Sequence, residues 1–493
     1  MTDALYDIAI IGGGVNGCGV ARDAAGRGLS VVLFERGDLA GATSSASTKL
    51  IHGGLRYLEQ YDFRLVHEAL SERTVMMRIA PHLVHPLRFI LPHHKGLRPP
   101  WMLRAGLIIY DNLGGRGGMP GSRALDLTNG PEGEPLKPEY HRGFSYYDCR
   151  TDDARLVALN ALGARELGAD IRTRTSVKSA RREGPLWVIE TETGETVRAR
   201  TLVNAGGPWV NEVMSLAGLT PPHGVRLVQG THIVTRRLYD HDAAYIFQNG
   251  DGRVVFAIPW RGDFTLIGTT DLELSAPPDH AEPTDAEVEY LCGAVSDYLK
   301  TPVTQDQVVD RWAGVRALAD DGAGAAQEAS RDYVLTLDAG DGLAPLLSVY
   351  GGKITTYRRL AEGVLERLSP FFAALGKPWT ATKPLPGGDL GAGGVEGLIA
   401  GLTAEYGALD KPLLRRLAEA YGSRARAVLG DAKAMADLGE VFAADLTARE
   451  VDYLINQEFA RTAEDILWRR TKIGLHATAD QVARLEGYLT SRA

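Results

Sequence analysis

Gly12, Gly14 and Gly17 stand in the run Gly12-Gly13-Gly14-Val15-Asn16-Gly17, between a short β-branched stretch from Tyr6 to Ile11 and an alanine-rich segment from Val15 to Gly28. The spacing predicts strand, turn and helix. Glycines at these positions serve a tight turn, close approach of backbone to a pyrophosphate, and close packing of helix on strand. The helix N-terminus then offers N–H groups and a partial positive charge to phosphate. Glu35 lies eighteen residues past Gly17 and closes the next strand-like run, Ser30 to Phe34. An acid there accepts both hydroxyls of an adenosine ribose and disfavours a 2′-phosphate. A glycine triplet alone marks an ordinary tight turn; with strand, helix and Glu35 around it, it marks a dinucleotide site, and leaves FAD or NAD open.

Proton-transfer chemistry has two histidine candidates, His52 and His232, because imidazole titrates closest to neutral pH. His52 belongs to a hydroxyl- and glycine-rich segment, Ala42 to Leu58, that has little regular periodicity and suits an extended cofactor. His232 falls on the alternating run Thr231-His232-Ile233-Val234. An isolated histidine more often serves structure than catalysis; His232 is the preferred base of the two. Lys353 competes if burial and neighbouring cations lower its pKa.

At 493 residues, 44% hydrophobic and 24% charged, the chain predicts a soluble globular protein of two or three domains. A net charge of −8 supplies no general field for nucleic acid, so an anion must be met by a local basic pocket. Cys18, Cys149 and Cys292 are scattered, without metal-ligand spacing, as a reducing cytoplasm allows. The start of the chain lacks a basic-then-apolar leader, and no apolar run is long enough to span a bilayer.

Strand-like stretches follow at Leu186 to Glu190 and Arg200 to Val203, after a helix-like stretch from Ala154 to Leu167. Alternating runs between Gly224 and Asp271 predict a second, mostly antiparallel sheet. The Pro/Gly-rich stretch from Lys383 to Gly394 reads as a linker. Helical spacing over Lys411 to Tyr421 and Ala448 to Trp468 predicts a helical end.

The runs Ile11 to Asp23, Ala42 to Leu58 and Gly351-Gly352-Lys353-Ile354-Thr355-Thr356-Tyr357-Arg358-Arg359-Leu360-Ala361 together resemble the FAD-dependent, respiratory glycerol-3-phosphate dehydrogenases. The resemblance continues through Leu202 to Trp209, Ile267 to Asp271 and Leu467 to Lys472, over essentially the full chain. Gly206-Gly207 departs from it, since the family commonly has threonine-glycine there; only backbone packing near the cofactor is expected to change.

The resemblance implies a mixed α/β and α+β fold. A Rossmann-like FAD-binding domain comes from 1–80, 150–206 and 331–380, and a sheet-rich substrate domain of the D-amino-acid-oxidase type from 81–149 and 207–330. A C-terminal helical domain covers 388–493. It implies that FAD is held by Gly12, Gly14, Gly17, Glu35, Arg36, Thr43, Ser44, Ser45, Ser47, Lys49, Gly54, Val177, Ala205, Gly206, Gly352, Lys353, Ile354 and Thr355. Arg316 and Arg331 are the expected phosphate clamp for glycerol 3-phosphate, with Arg56, Tyr57, His232 and Lys353 also at the substrate; arginine suits phosphate because its planar fork donates paired hydrogen bonds. Catalysis then falls to His232, His52, Lys353 and Arg316, with no metal.

The 88–110 region mixes Arg88, Lys95, Arg98 and Arg104 with Trp101, Leu107, Ile108 and Ile109. Such a mixture suits an interfacial segment on an anionic membrane, and equally a buried helix with a charged rim. The family's use of a membrane quinone favours attachment to the inner face of the cell membrane, from the cytoplasm. The competing readings are a glycerol-3-phosphate oxidase that uses oxygen, an FAD amine or amino-acid oxidase, and a non-catalytic FAD scaffold. A homodimer is possible on this reading, and the role of the C-terminal helices stays open.

Overall fold

A computed structural model of the chain describes residues 4–55, 58, 62–320 and 332–492. The strand β1 (Leu5–Ile11), the helix α1 (Val15–Gly26) and the strand β2 (Val31–Phe34) form the predicted opening unit. β1 pairs in parallel with β2 on one side and with Thr196–Asn204 on the other, and Leu346–Tyr350 and Asp170–Arg172 extend the sheet. Alternate residues of a strand face opposite sides. Ile8, Ile10, Val31 and Leu33 therefore enter one core under α1, Asp153–Glu166 and Tyr357–Leu368, while Ala9, Ile11, Val32 and Phe34 enter a second core on the opposite face. Both faces are covered, as a parallel sheet requires.

Among the described residues the second sheet has ten strands. Val225–Arg236 is a long strand next to one end of it, antiparallel to Phe264–Gly268 on one side and to Val308–Ala319 and Leu272–Leu274 on the other. Val254–Trp260, Ala244–Gln248, His85–Pro92 and Arg142–Arg150 continue it. The short strand Leu50–Ile51 pairs with Arg150 and Cys149, so the hydroxyl-rich segment expected within the flavin domain is stitched into the substrate sheet as well.

Two expectations are corrected. The helical spacing over Ala448 to Trp468 is not one helix: Ala448–Gln457 stops, and a separate π-helical turn runs Asp465–Arg470. Phe459 takes a left-handed backbone (φ 61), and Glu458 turns inward to a buried ion pair with Arg155. A new start follows, with the Asp465 carboxylate accepting from the N–H groups of Arg461 and Thr462 at 2.7 and 3.0 Å. Periodicity continues across the break because both pieces face the same core.

The 88–110 region is likewise not one surface segment. Phe89, Ile90 and Leu91 lie buried in a sheet strand and Arg88 pairs with Glu132 at 2.5 Å; the exposed part is the helix Pro100–Leu113 that follows. On that helix Trp101, Ile108 and Ile109 are 69%, 47% and 45% exposed and share one face, whereas Leu107 and Tyr110 are buried.

Candidate active site

The glycine turn has the geometry a pyrophosphate cradle needs. Gly12 has φ 116, a conformation that glycine adopts without penalty. A Cβ at Gly17 would overlap the carbonyl oxygen of Gly12, so helix and strand approach as closely as backbone allows. Gly14, the residue before α1, has only Ser44 Oγ nearby, and that hydroxyl accepts from Val15 N at 3.0 Å. Glu35 does more than wait for a ribose. Its carboxylate accepts from Gly13 N at 2.6 Å and Gly37 N at 2.7 Å, pinning the turn to the end of β2. Burial pushes its pKa up, and those two N–H donors pull against the shift. Asn16 Oδ1 is buried with no hydrogen-bond partner, and Asn16 Nδ2 donates to Gly351 O at 3.3 Å. An open cradle, a ribose-height acid and an unsatisfied buried acceptor beside the helix N-terminus fit FAD.

The residues from Thr43 to Lys49 cross the face of the second sheet. Thr43 Oγ1 donates to Val315 O at 2.6 Å, and a Cβ on Gly314 would lie 2.7 Å from that of Ala46. Register then lines up a row of side chains beneath them. His232 stands opposite Gly268 and Trp312, and Gly268 stands opposite Phe256, so Phe256, Gly268, His232 and Trp312 share one face. A Cβ at Gly268 would overlap the His232 ring, so this glycine is the room the imidazole occupies. Gly230 does the same for Arg316: a Cβ there would overlap its guanidinium and come within 2.7 Å of Thr269 Oγ1.

His232 Nε2 meets Thr48 Oγ1 at 2.9 Å, its ring lies nearly parallel to Trp312 with centroids 5.8 Å apart, and its Nδ1 is buried without a partner. Burial, then the charges of Lys49 and Arg316, hold its pKa well below 6.5. The ring is therefore neutral at physiological pH. Arg316 reaches the same face, donating to Asp271 Oδ1 at 2.7 Å, Thr269 Oγ1 at 3.1 Å and Thr270 O at 3.3 Å. His52 N lies 3.3 Å from Thr355 Oγ1, and its ring meets Phe256 edge-on at 6.4 Å. Lys353 leads the short turn Ile354–Thr356; a Cβ on its neighbour Gly352 would sit 3.0 Å from Asn16 Nδ2, which places this turn against the start of α1.

Residues 7–358 match the family model described as FAD dependent oxidoreductase, and residues 379–488 match that described as the C-terminal domain of alpha-glycerophosphate oxidase. The chain is 52% identical over 492 residues to the glycerol-3-phosphate dehydrogenase of Pseudomonas aeruginosa, covering 99% of this chain and 95% of that protein. It belongs to the FAD-dependent glycerol-3-phosphate dehydrogenase family. The D-erythritol 1-phosphate dehydrogenase of Brucella abortus is 49% identical over 98% of this chain and 97% of that one. The crystal structure of the glycerol-3-phosphate dehydrogenase from Bacillus halodurans complexed with FAD superposes with a TM-score of 0.75 at 26% identity, covering 100% of this chain and 95% of that one. FAD is the cofactor, and the fold is that of the FAD oxidoreductases with the added C-terminal domain.

Among the positions the family resemblance pointed to, Gly12, Gly14, Gly17, Glu35, Ser44 and Gly352 lie around the α1 N-terminus, and Lys353 and Ile354 follow Gly352 in the chain. Thr43, Lys49 and His52 reach the face of the second sheet that carries His232 and Arg316, at Val315 O, the Trp312 ring and the Phe256 ring, and Thr355 meets His52, whereas Ser47 is tied to Asp153 and Ser45 to Ala42 O. Ala205 N donates to Ile11 O at 2.9 Å and Gly206 N to Asn204 Oδ1 at 3.1 Å, beside the glycine turn. A Cβ at Gly206 would stand 3.0 Å from Val213 Cγ2 and 3.1 Å from Asn204 Oδ1, so a larger side chain here requires those neighbours to shift. Arg36 lies over the Trp209 ring at 4.0 Å, Gly54 has φ 77, and Val177 opens an outlying strand, Val177–Glu183, of the first sheet. Arg56, Tyr57 and Arg331 lie outside the described residues.

Sequence reasoning missed Thr48 and Trp312 as partners of His232, and Asp153, whose carboxylate accepts from Ser47 Oγ at 2.7 Å and Lys49 Nζ at 2.9 Å. The signal for Trp312 was present. Trp312, Gly314 and Arg316 alternate along one strand and must share a face.

Proposed function

We propose that this enzyme oxidises glycerol 3-phosphate at C2 to dihydroxyacetone phosphate, and that the electrons pass on to a membrane quinone. Bound FAD supplies the hydride acceptor. The observation that carries the reading is the row on the second sheet, where a guanidinium suited to phosphate and a neutral imidazole suited to an alcohol proton share the face beneath the Thr43–Lys49 segment.

Arg316 is held from behind by Asp271 and Thr269, which fixes its fork before a phosphate arrives. His232, neutral and stacked on Trp312, accepts the hydroxyl proton while Thr48 fixes the ring. A phosphate dianion beside Arg316 offsets the charge that depresses the imidazole, so substrate binding itself strengthens the base. In the free enzyme the sign runs the other way: the neutral form persists well below pH 6.5, so an acidic limb set by His232 lies below that range. Arg316→Ala removes a charge-assisted contact worth about 1.5–3 kcal/mol, and KM for glycerol 3-phosphate rises about 10- to 150-fold. Flavin content stays at the wild-type level; equal loss of FAD shows a structural arginine instead.

The relative that acts on D-erythritol 1-phosphate supports a second reading, a longer polyol phosphate as substrate. The ratio of kcat/KM for the two compounds decides between them. The C-terminal match to alpha-glycerophosphate oxidase supports oxygen as a competing acceptor, and peroxide yield against quinone reduction measures it.

No described helix is long and apolar enough to cross a membrane. Attachment instead rests on the exposed face of Pro100–Leu113, which carries Trp101, Ile108 and Ile109 and follows Lys95 and Arg98 in the chain. Arg104 turns to Ser122 Oγ at 2.5 Å. The protein is expected to pellet with anionic liposomes at low salt, and Trp101→Ser together with Ile108→Ser to abolish that binding. Unchanged pelleting of this variant assigns attachment to another surface.

A further inference from the structure

Lys472 sits where three parts of the chain meet. It follows the turn Asp465–Arg470 in a left-handed backbone (φ 62), and its side chain is only 4% exposed. Its Nζ lies 3.5 Å from Asp152 Oδ1 and 3.9 Å from Asp153 Oδ1, and makes no hydrogen bond. Arg261, from the turn after Val254–Trp260 of the substrate sheet, donates to Asp152 Oδ2 at 2.6 Å. From the flavin side, Lys49 Nζ donates to both Asp153 oxygens at 2.9 and 3.1 Å and to Ser45 O at 2.9 Å. Ser47 adds its N–H at 3.1 Å and its hydroxyl at 2.7 Å to Asp153 Oδ2.

Asp153 is thus the post to which Ser47 and Lys49 are tied, and the residue between them, Thr48, holds His232. The neighbours of Lys472 fasten the same stretch to both other domains. Arg470 donates to Asp38 Oδ1 at 2.8 Å and Arg469 to Asp38 Oδ2 at 2.6 Å, just beyond β2. Leu475 packs into the core of the substrate sheet, and the His476 ring lies 5.2 Å from that of Phe264. An ammonium taken from water without a hydrogen bond is costly, and an apolar side chain of that length would pack there at less cost. What the charge adds is its field on the two aspartates.

We infer that Lys472 is a positioning residue of the flavin site: through Asp153, the C-terminal domain uses it to hold the Ser45–Lys49 segment in the form that binds FAD. The C-terminal domain is then a working part of the cofactor site and more than a cover. The facing groups are Asp152 and Asp153 from one helix start, Lys49 from the flavin segment and Arg261 from the sheet. Burial lowers the Lys472 pKa, with Lys49 and Arg261 pulling it down and Asp152 and Asp153 pulling it up, to about 8. The charge is present at neutral pH and is lost in mild alkali.

FAD release on dilution of the holoprotein, followed by recovery of flavin fluorescence between pH 6.5 and 9, tests this without any substrate. It stands or falls separately from the glycerol 3-phosphate reading. If the charge contributes about tenfold to affinity, the wild-type dissociation constant rises about fivefold by pH 9, and Lys472→Met is about tenfold weaker at pH 7 with a flat profile. A flat wild-type profile overturns the proposal even if the variant does not fold. So does a variant that binds with wild-type affinity or keeps the wild-type pH slope.

Discussion

Gly268→Ala retains its FAD and loses about 100-fold or more in kcat, the scale of a displaced general base. The added methyl overlaps the His232 ring and comes within 2.7 Å of Nε2, the atom that Thr48 holds. The imidazole cannot simply back away, because Trp312 lies parallel to its other face and the site is buried. It must tilt, and the Thr48 contact breaks. The glycine turn and Glu35 lie in the first domain and are untouched. Flavin absorbance of the purified variant, set beside its kcat, checks both halves. Wild-type turnover in Gly268→Ala removes His232 from proton transfer, and Lys353 then becomes the base to test.

Gly17→Ala is expected to lose the cofactor itself, with FAD content below about a tenth of wild type after gel filtration. One methyl overlaps the Gly12 carbonyl, and Gly12 in turn is packed against Ala205 O, so neither strand end has room to move. Protein interiors respond to even one methylene by shifting backbone. Here the backbone that shifts is the pyrophosphate cradle. Circular dichroism at the wild-type level alongside lost flavin absorbance is the expected pair; full FAD content shows that the turn tolerates opening.

Much of this was legible in the residues. Gly12, Gly14, Gly17 and Glu35 carry their geometry in their spacing, since the three demands of strand, turn and helix are local. His232 and Arg316 are singled out by the company of their motifs. What could not be read was register: that Gly268 and Gly230 are the spaces occupied by His232 and Arg316 depends on which strands pair, and pairing is a long-range property. The role of Glu35 in pinning Gly13 was hidden for the same reason. The run from Ala448 to Trp468 misled because helical spacing reports which residues face a core, and it persists across the break at Phe459. Phe89 to Leu91 suits an interfacial segment and a buried helix equally by sequence and is a buried strand, because an apolar run flanked by basic residues reads alike in a sheet and at a membrane.

Everything proposed for the sheet face depends on one event, hydride removal from glycerol 3-phosphate by this flavoprotein. Anaerobic mixing of the holoprotein with excess glycerol 3-phosphate should bleach the oxidised flavin spectrum completely and release dihydroxyacetone phosphate in equal amount to FAD. A spectrum that stays oxidised under glycerol 3-phosphate, while dithionite bleaches the same sample, contradicts the account.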